Sequence, residues 1–177
     1  MSSSNPIDIS PVRKILPILL FFLSLASCKS PHVESGSYNL MLQSILDSEV
    51  PIVSVSELKQ MDDVTILDAR AQEEFDVSHI PNSTFVGFAD FDISKVAHID
   101  KNQPVVVYCS VGYRSEKITN QLRENGFQDV NNLFGGIFEW VNQGNEIMNT
   151  QGQKTSRIHP YSSTWGIWLR KGEKVYE

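Results

Sequence analysis

The sequence predicts an α/β domain in which a central, mostly parallel sheet is flanked by helices. Three observations carry that expectation. Short apolar runs alternate along the chain with amphipathic stretches, which is the βα rhythm of a parallel sheet. Val105-Val106-Val107-Tyr108 is apolar at every position, not at every second one, and so suits a strand covered on both faces. A cysteine, Cys109, follows that run directly and is itself followed by a glycine-containing turn and an amphipathic segment, the pattern of a central strand giving way to a helix.

The elements follow in order. Leu40, Met41, Ile45 and Leu46 recur at helical spacing and predict a leading helix that ends before Pro51. Ile52 to Val55 and Val64 to Leu67 are β-rich runs. Between them Ser56 to Met61 opens a short helix with Ser56 as its cap, and Gln72 to Phe75 makes a further helical turn. After Cys109, Ser115 to Asn125 predicts a helix with Ile118 and Leu122 one turn apart and Gly126 as its stop. Asp129 to Leu133 reads as a last strand, and Ile137 to Val141, with Phe138 and Trp140, as a last short helix. There is no internal repeat.

Not all of the 177 residues are available to this domain. Arg13 and Lys14 precede an uncharged apolar run, Ile15 to Ser27, which has the charged and hydrophobic regions of an export signal. Its 13 residues would span about 20 Å as a helix, short of the roughly 30 Å of a bilayer's hydrocarbon core. The run ends in Leu25-Ala26-Ser27-Cys28, which resembles the lipobox of bacterial lipoproteins. That resemblance implies removal of residues 1–27, acylation of Cys28 on sulfur and amine, and stable attachment to a membrane of the bacterial cell envelope facing the periplasm, the outer membrane before the inner. Residues 28–39 are small and polar at Ser30, Ser35, Gly36 and Ser37 and read as a tether. The domain is then expected over 40–147. Residues 148–177 form an extension whose Tyr161, Trp165, Trp168 and Tyr176, with Ile158, Ile167 and Leu169, are too apolar to stay solvated and should pack back on the domain.

Composition narrows the function classes. The chain is 41% hydrophobic and 20% charged, which excludes a disordered or fibrous protein. Its net charge of −6 argues against nucleic acid as a partner.

The chemistry gathers at Cys109-Ser110-Val111-Gly112-Tyr113-Arg114, ahead of Ser115. Gly112 permits a sharp turn, and successive backbone N–H groups in such a loop, with those at the start of a helix, make a cradle that stabilises negative charge. A thiolate in that cradle is a nucleophile, and a persulfide anion on it would accept the same donors. With Cys28 lipidated, Cys109 has no disulfide partner in the chain. Arg114 either faces a bound anion or holds the loop by pairing with Asp68 or Glu74, and the second reading is preferred. No His/Cys cluster has metal-ligand spacing, so neither a metal nor a cofactor is expected. Gly135-Gly136 is isolated after the last strand and is no nucleotide loop.

Strand, cysteine and loop together resemble the rhodanese family. Upstream, Asp68-Ala69-Arg70, Glu74-Phe75 and His79-Ile80-Pro81 match its first motif; downstream, Gly126-Phe127, Val130, Leu133, Gly135-Gly136-Ile137 and Trp140 follow its usual ending. The resemblance covers about residues 52–145 and implies a rhodanese-like three-layer fold. It implies Cys109 as the catalytic residue that carries sulfane sulfur, Ser110 to Ser115 as the substrate-binding loop, and Asp68, Arg70 and Glu74 as its supports. The expected partners are a small sulfur donor and a thiol or cyanide-like acceptor, and a monomer is expected. Four residues separate Cys109 from Arg114, whereas the phosphatases related to this family need a roomier loop with five. Sulfur transfer is therefore preferred over a phosphatase or arsenate reductase and over a non-catalytic binding or sulfide-sensing module. Three departures stand out. Ser110 replaces the basic residue common in thiosulfate-using members, which predicts a poor response to thiosulfate. Ser78 and Asn82-Ser83 replace the family's Gly before His79 and its Gly-Ala after Pro81.

Overall fold

Val105–Tyr108, the run without alternation, forms strand β4, and all four of its residues are buried. In the computed structural model, which describes residues 32–176, this strand is the middle of a five-stranded parallel sheet. Its companions are β1 (Ile52–Val53), β2 (Thr65–Asp68), β3 (Thr84–Phe85) and β5 (Val130–Leu133), in the order β1-β5-β4-β2-β3. The expected export segment, Cys28 and the lipid anchor lie outside the described residues.

Helices cover both faces: α1 (Gly36–Ile45), α2 (Val55–Leu58), α3 (Gln72–Val77), α4 (Tyr113–Glu124) and α5 (Gly136–Asn142), with a short 3-10 turn at Ile93–Val96. The pleat of β4 divides the core between them. Val106 and Tyr108 pack with Tyr38, Leu42, Leu133 and Phe138, whereas Val105 and Val107 pack with Leu67, Ile118, Leu122 and Val130. The result is the three-layer α/β architecture expected from the sequence.

Several boundaries differ from expectation: the first strand stops at Val53, since Val55 already opens α2, the second is shifted by one residue to Thr65–Asp68, and α3 and α5 run slightly longer. Four further differences have a local reason. The stretch expected as tether is partly folded: α1 starts at Gly36 with Ser35 as its cap, Val33 is buried, and the Tyr38 hydroxyl donates to the Gly135 carbonyl at 2.8 Å. Leu40, the expected domain start, is instead 69% exposed. At α2 the cap is Ser54, not Ser56, because Glu57 at the third helical position completes a capping box, receiving the Ser54 N–H at 2.8 Å. Helix α4 begins at Tyr113, two residues before Ser115. Gly112, at φ 123°, turns the chain, and its carbonyl already accepts the Glu116 N–H at 3.0 Å. Finally, the expected junction between 147 and 148 falls inside strand β6 (Ile147–Met148).

The tail lies on the domain. Strand β6 pairs with β7 (Lys154–Thr155), β8 (Arg157–Ile158) pairs with β9 (Glu173–Lys174), and a turn of helix, α6 (Ser163–Gly166), lies between the last two. Ile158 and Leu169 enter the same core as Tyr38 and Phe138. Each such buried aliphatic side chain contributes about 1.5–3 kcal/mol, enough to offset the ordering of its own residue at about 1–2 kcal/mol. Trp168 stacks on Tyr38 at 5.4 Å, and Asn142 holds the backbone on either side of Leu169, donating to the Trp168 carbonyl at 2.9 Å and accepting from the Arg170 N–H at 2.7 Å.

Candidate active site

Parallel register levels the carboxyl ends of β2 and β4, with Asp68 beside Tyr108. Asp68 to Arg70 and Cys109 therefore emerge together, at the edge where open α/β sheets bind ligands.

Cys109 is 1% exposed, and its Sγ accepts the Gly112 N–H at 3.2 Å. The first amides of α4, on Tyr113, Arg114 and Ser115, have no intrahelical acceptor and add to the positive end of that helix beside the sulfur. The loop is fixed from behind by α5: Ile137 N–H donates to the Cys109 carbonyl at 2.9 Å and Phe138 N–H to the Ser110 carbonyl at 3.1 Å. With the carbonyls held backward, the loop amides are free to face the sulfur.

Arg114 chooses Glu74. Its guanidinium forks onto that carboxylate at 2.6 and 2.8 Å and reaches Ser110 Oγ at 2.9 Å, while Ser110 Oγ donates to Glu74 Oε1 at 2.8 Å. Burial pushes the Glu74 carboxyl up, but Arg114, Arg70 and the Ala71 N–H outweigh it and hold the group below the usual carboxylate range. Ser110 thus stands where family members often carry a cation, and it serves as a strut between loop and α3. The Tyr161 ring from the tail covers the other face of Arg114 at 4.8 Å.

Asp68 takes a different partner. It pairs with Arg70 at 2.6 Å, both side chains fully buried, and Arg70 also donates to the Ser78 carbonyl at 2.6 Å and lies over the Tyr108 ring. Asp68 and Arg70 therefore brace the strand ends and the turn after α3 without touching the sulfur loop. In that turn Asn82 adopts φ 62°, so an asparagine tolerates the left-handed backbone expected of the absent glycine. Ser83 stays tied to Tyr108 through its hydroxyl at 3.0 Å. His79 stacks on Phe75 at 4.0 Å and bridges to Met148, a structural position.

One supporting residue was missed in the sequence. Asn132 on β5 is fully buried; its amide donates to the Gly112 carbonyl at 2.9 Å and its oxygen accepts from Ser115 Oγ at 2.7 Å. The sequence offers little signal for it, because β5 carries two adjacent asparagines, Asn131 and Asn132, and only the fold buries the second completely.

At Cys109 opens a cleft of about 700 Å³, lined by Phe85, Phe88, Val111, Tyr113, Tyr161 and Trp165 together with Arg70, Arg114, Glu73 and Asp90. Fold and site together define a protein that presents one thiol in an amide-lined loop at the carboxyl edge of a parallel sheet.

The chain belongs to the rhodanese-like domain family, whose family model matches residues 54–143. It is 36% identical over 85 residues to the thiosulfate sulfurtransferase GlpE of Coxiella burnetii, a match covering 48% of this chain and 78% of that protein. It is 37% identical over 86 residues to the tRNA uridine(34) hydroxylase of Aster yellows witches'-broom phytoplasma, covering 46% of this chain but only 28% of that protein. Among solved structures, a rhodanese-like domain protein of Staphylococcus aureus superposes with a TM-score of 0.51 at 28% identity, covering 57% of this chain and 99% of that one.

Proposed function

We propose that the protein is a sulfurtransferase that moves sulfane sulfur from a donor to a thiophilic acceptor through a persulfide on Cys109. The Cys109 thiolate attacks the donor's sulfane sulfur; a bond forms between the two sulfurs, and the donor's own bond to that sulfur breaks, its electron pair leaving with sulfite or a thiolate. An acceptor thiolate or cyanide then attacks the outer sulfur and returns Cys109 as the thiolate, so no external oxidant or reductant is consumed. The observation that carries this reading is the Cys109 loop itself. Its Gly112 N–H donates to the sulfur at the floor of a cleft, while Arg114, separated from Cys109 by four residues, is spent on Glu74 and Ser110 and is not free to clamp a phosphate. Purified protein incubated with polysulfide should gain the mass of one sulfur atom, and cyanide should remove it. A protein that no sulfane donor loads would instead be a binding or sensing module.

The same proposal sets this activity at the bacterial envelope. Its support is the apolar run followed by Leu25-Ala26-Ser27-Cys28, and only four residues lie between Cys28 and the buried Val33. Fully extended, the five steps from Cys28 to Val33 reach about 17 Å, so the domain would sit close against the lipid headgroups. Cells fed a fatty-acid probe should label the protein through Cys28, and labelling that survives Cys28→Ala would remove the anchor from the proposal.

A further inference from the structure

We propose that the tail, through Tyr161 and Trp165, completes the cleft above Cys109 and selects a sulfur donor whose persulfide is carried on an apolar, preferably aromatic, organic body. The inference rests on the sulfur-transfer reading and names its substrate class. The family match ends at residue 143, so both side chains come from outside the domain shared with the relatives.

Size is the first argument. A cleft of about 700 Å³ is in the range that houses organic ligands of many atoms, and a five-atom thiosulfate would leave most of it unfilled. The walls are the second. Phe88, Tyr113 and Tyr161 are 38%, 48% and 53% exposed at its mouth, an apolar surface that small anions cannot cover.

Charge is the third. Arg70 is paired with Asp68, and Arg114 with Glu74, under the Tyr161 ring. Glu73 and Asp90 add negative charge with no ion pair among the described residues. A dianion approaching Cys109 therefore meets neutralised cations and two carboxylates, whereas a monoanionic persulfide on an apolar body loses less and gains the aromatic walls.

The fourth argument is strain. Tyr161 adopts φ 65°, and Ser162 N–H closes on the Pro160 carbonyl at 2.7 Å, a three-residue turn of the rare hand. A bulky aromatic residue is out of place there, and such strain persists where the side chain serves a site. Here the turn lays the ring over Arg114 at the cleft's edge. In the loading step the Cys109 thiolate bonds to the outer sulfur of R–S–S⁻ while R–S⁻ departs with the electron pair and takes up a proton from water, and R rests against Trp165 and Phe88.

The test loads the full-length protein in single turnovers with benzyl persulfide and with thiosulfate. In wild type the second-order rate constant for benzyl persulfide should exceed that for thiosulfate by at least about tenfold, and Tyr161→Gly or Trp165→Ala should each lower that ratio by about tenfold, the worth of one aromatic contact. The loss should appear in the donor concentration giving half-maximal rate. Tyr161→Gly also relaxes the turn, so a fall in the ratio there does not reflect unfolding. Equal loading by both donors, or a ratio unmoved in both variants, overturns the assignment. Binding is read separately in Cys109→Ser, whose tryptophan fluorescence should respond to benzyl mercaptan. A response there, with no donor able to load the wild type, keeps the cleft assignment and removes the sulfur-transfer reading; no response removes the cleft assignment even if Cys109 loads.

Discussion

Cys109→Ser should abolish sulfur loading, lowering the rate of persulfide formation by at least about a thousandfold while leaving the fold intact. The chemical loss is large because a serine hydroxyl stays almost wholly protonated at neutral pH and oxygen is a poor nucleophile toward sulfane sulfur, whereas thiolate sulfur is intrinsically a strong one. On the proposed lipidation no second thiol can substitute. The chain has two cysteines, and Cys28 is the proposed site of acylation, its sulfur consumed as a thioether. The structural loss is small because the serine oxygen fits the same buried space and can accept the same Gly112 N–H, which now reaches Sγ at 3.2 Å. Stopped-flow loading with polysulfide, paired with thermal unfolding of both proteins, checks this. Loading of the serine variant at a tenth of the wild-type rate or faster would show that sulfur is carried elsewhere, and a collapse in stability would mean that Cys109 is mainly a packing residue.

What could be read from the sequence follows the range over which each interaction acts. Strand β4 and the loop after it were legible because burial on both faces leaves a local mark, four consecutive apolar residues, and because a turn into a helix needs its glycine at a fixed offset. The partner of Arg114 was legible only as a choice between Asp68 and Glu74. The choice falls to Glu74 because α3 carries it to the sulfur loop, while Asp68 closes locally on Arg70 two residues on. The end of the tether was misread for a similar reason. Val33 and Tyr38 lie in a stretch of polar composition, and what buries them, Gly135 and Trp168, is about a hundred residues or more away in sequence. The tail's aromatic content announced that it would pack, but the side chain that each ring would meet is a tertiary outcome. Tyr161 over Arg114 has no local signature at all.

Gly136→Ala should cost about 3 kcal/mol or more of stability and disable sulfur loading with it. Gly136 opens α5 at φ 55°, and a Cβ there would stand 2.3 Å from the Cys109 carbonyl oxygen and 2.7 Å from the Ser110 carbonyl carbon and oxygen. These are backbone atoms of the Cys109 loop, so no side-chain rotation relieves the overlap. The loop must retreat, and the first casualties are the bonds from Ile137 N–H to the Cys109 carbonyl and from Phe138 N–H to the Ser110 carbonyl, which fix the loop in which Gly112 N–H reaches Sγ. Each lost bond leaves a buried carbonyl unpaired at about 1–3 kcal/mol. Gly152→Ala is the matched control, since Gly152 also has a positive φ, 71°, but nothing lies within 4 Å of its Cβ position. It bears the left-handed backbone penalty of about 1–2 kcal/mol without the clash. Urea denaturation of the two variants separates strain from collision, and the collision account fails if Gly136→Ala is no less stable than Gly152→Ala. The functional half of the prediction is sharper still. If the α5 amides set the cradle, Gly136→Ala protein that remains folded should load sulfur far more slowly than Gly152→Ala, because the thiol is present in both and only its donors have moved.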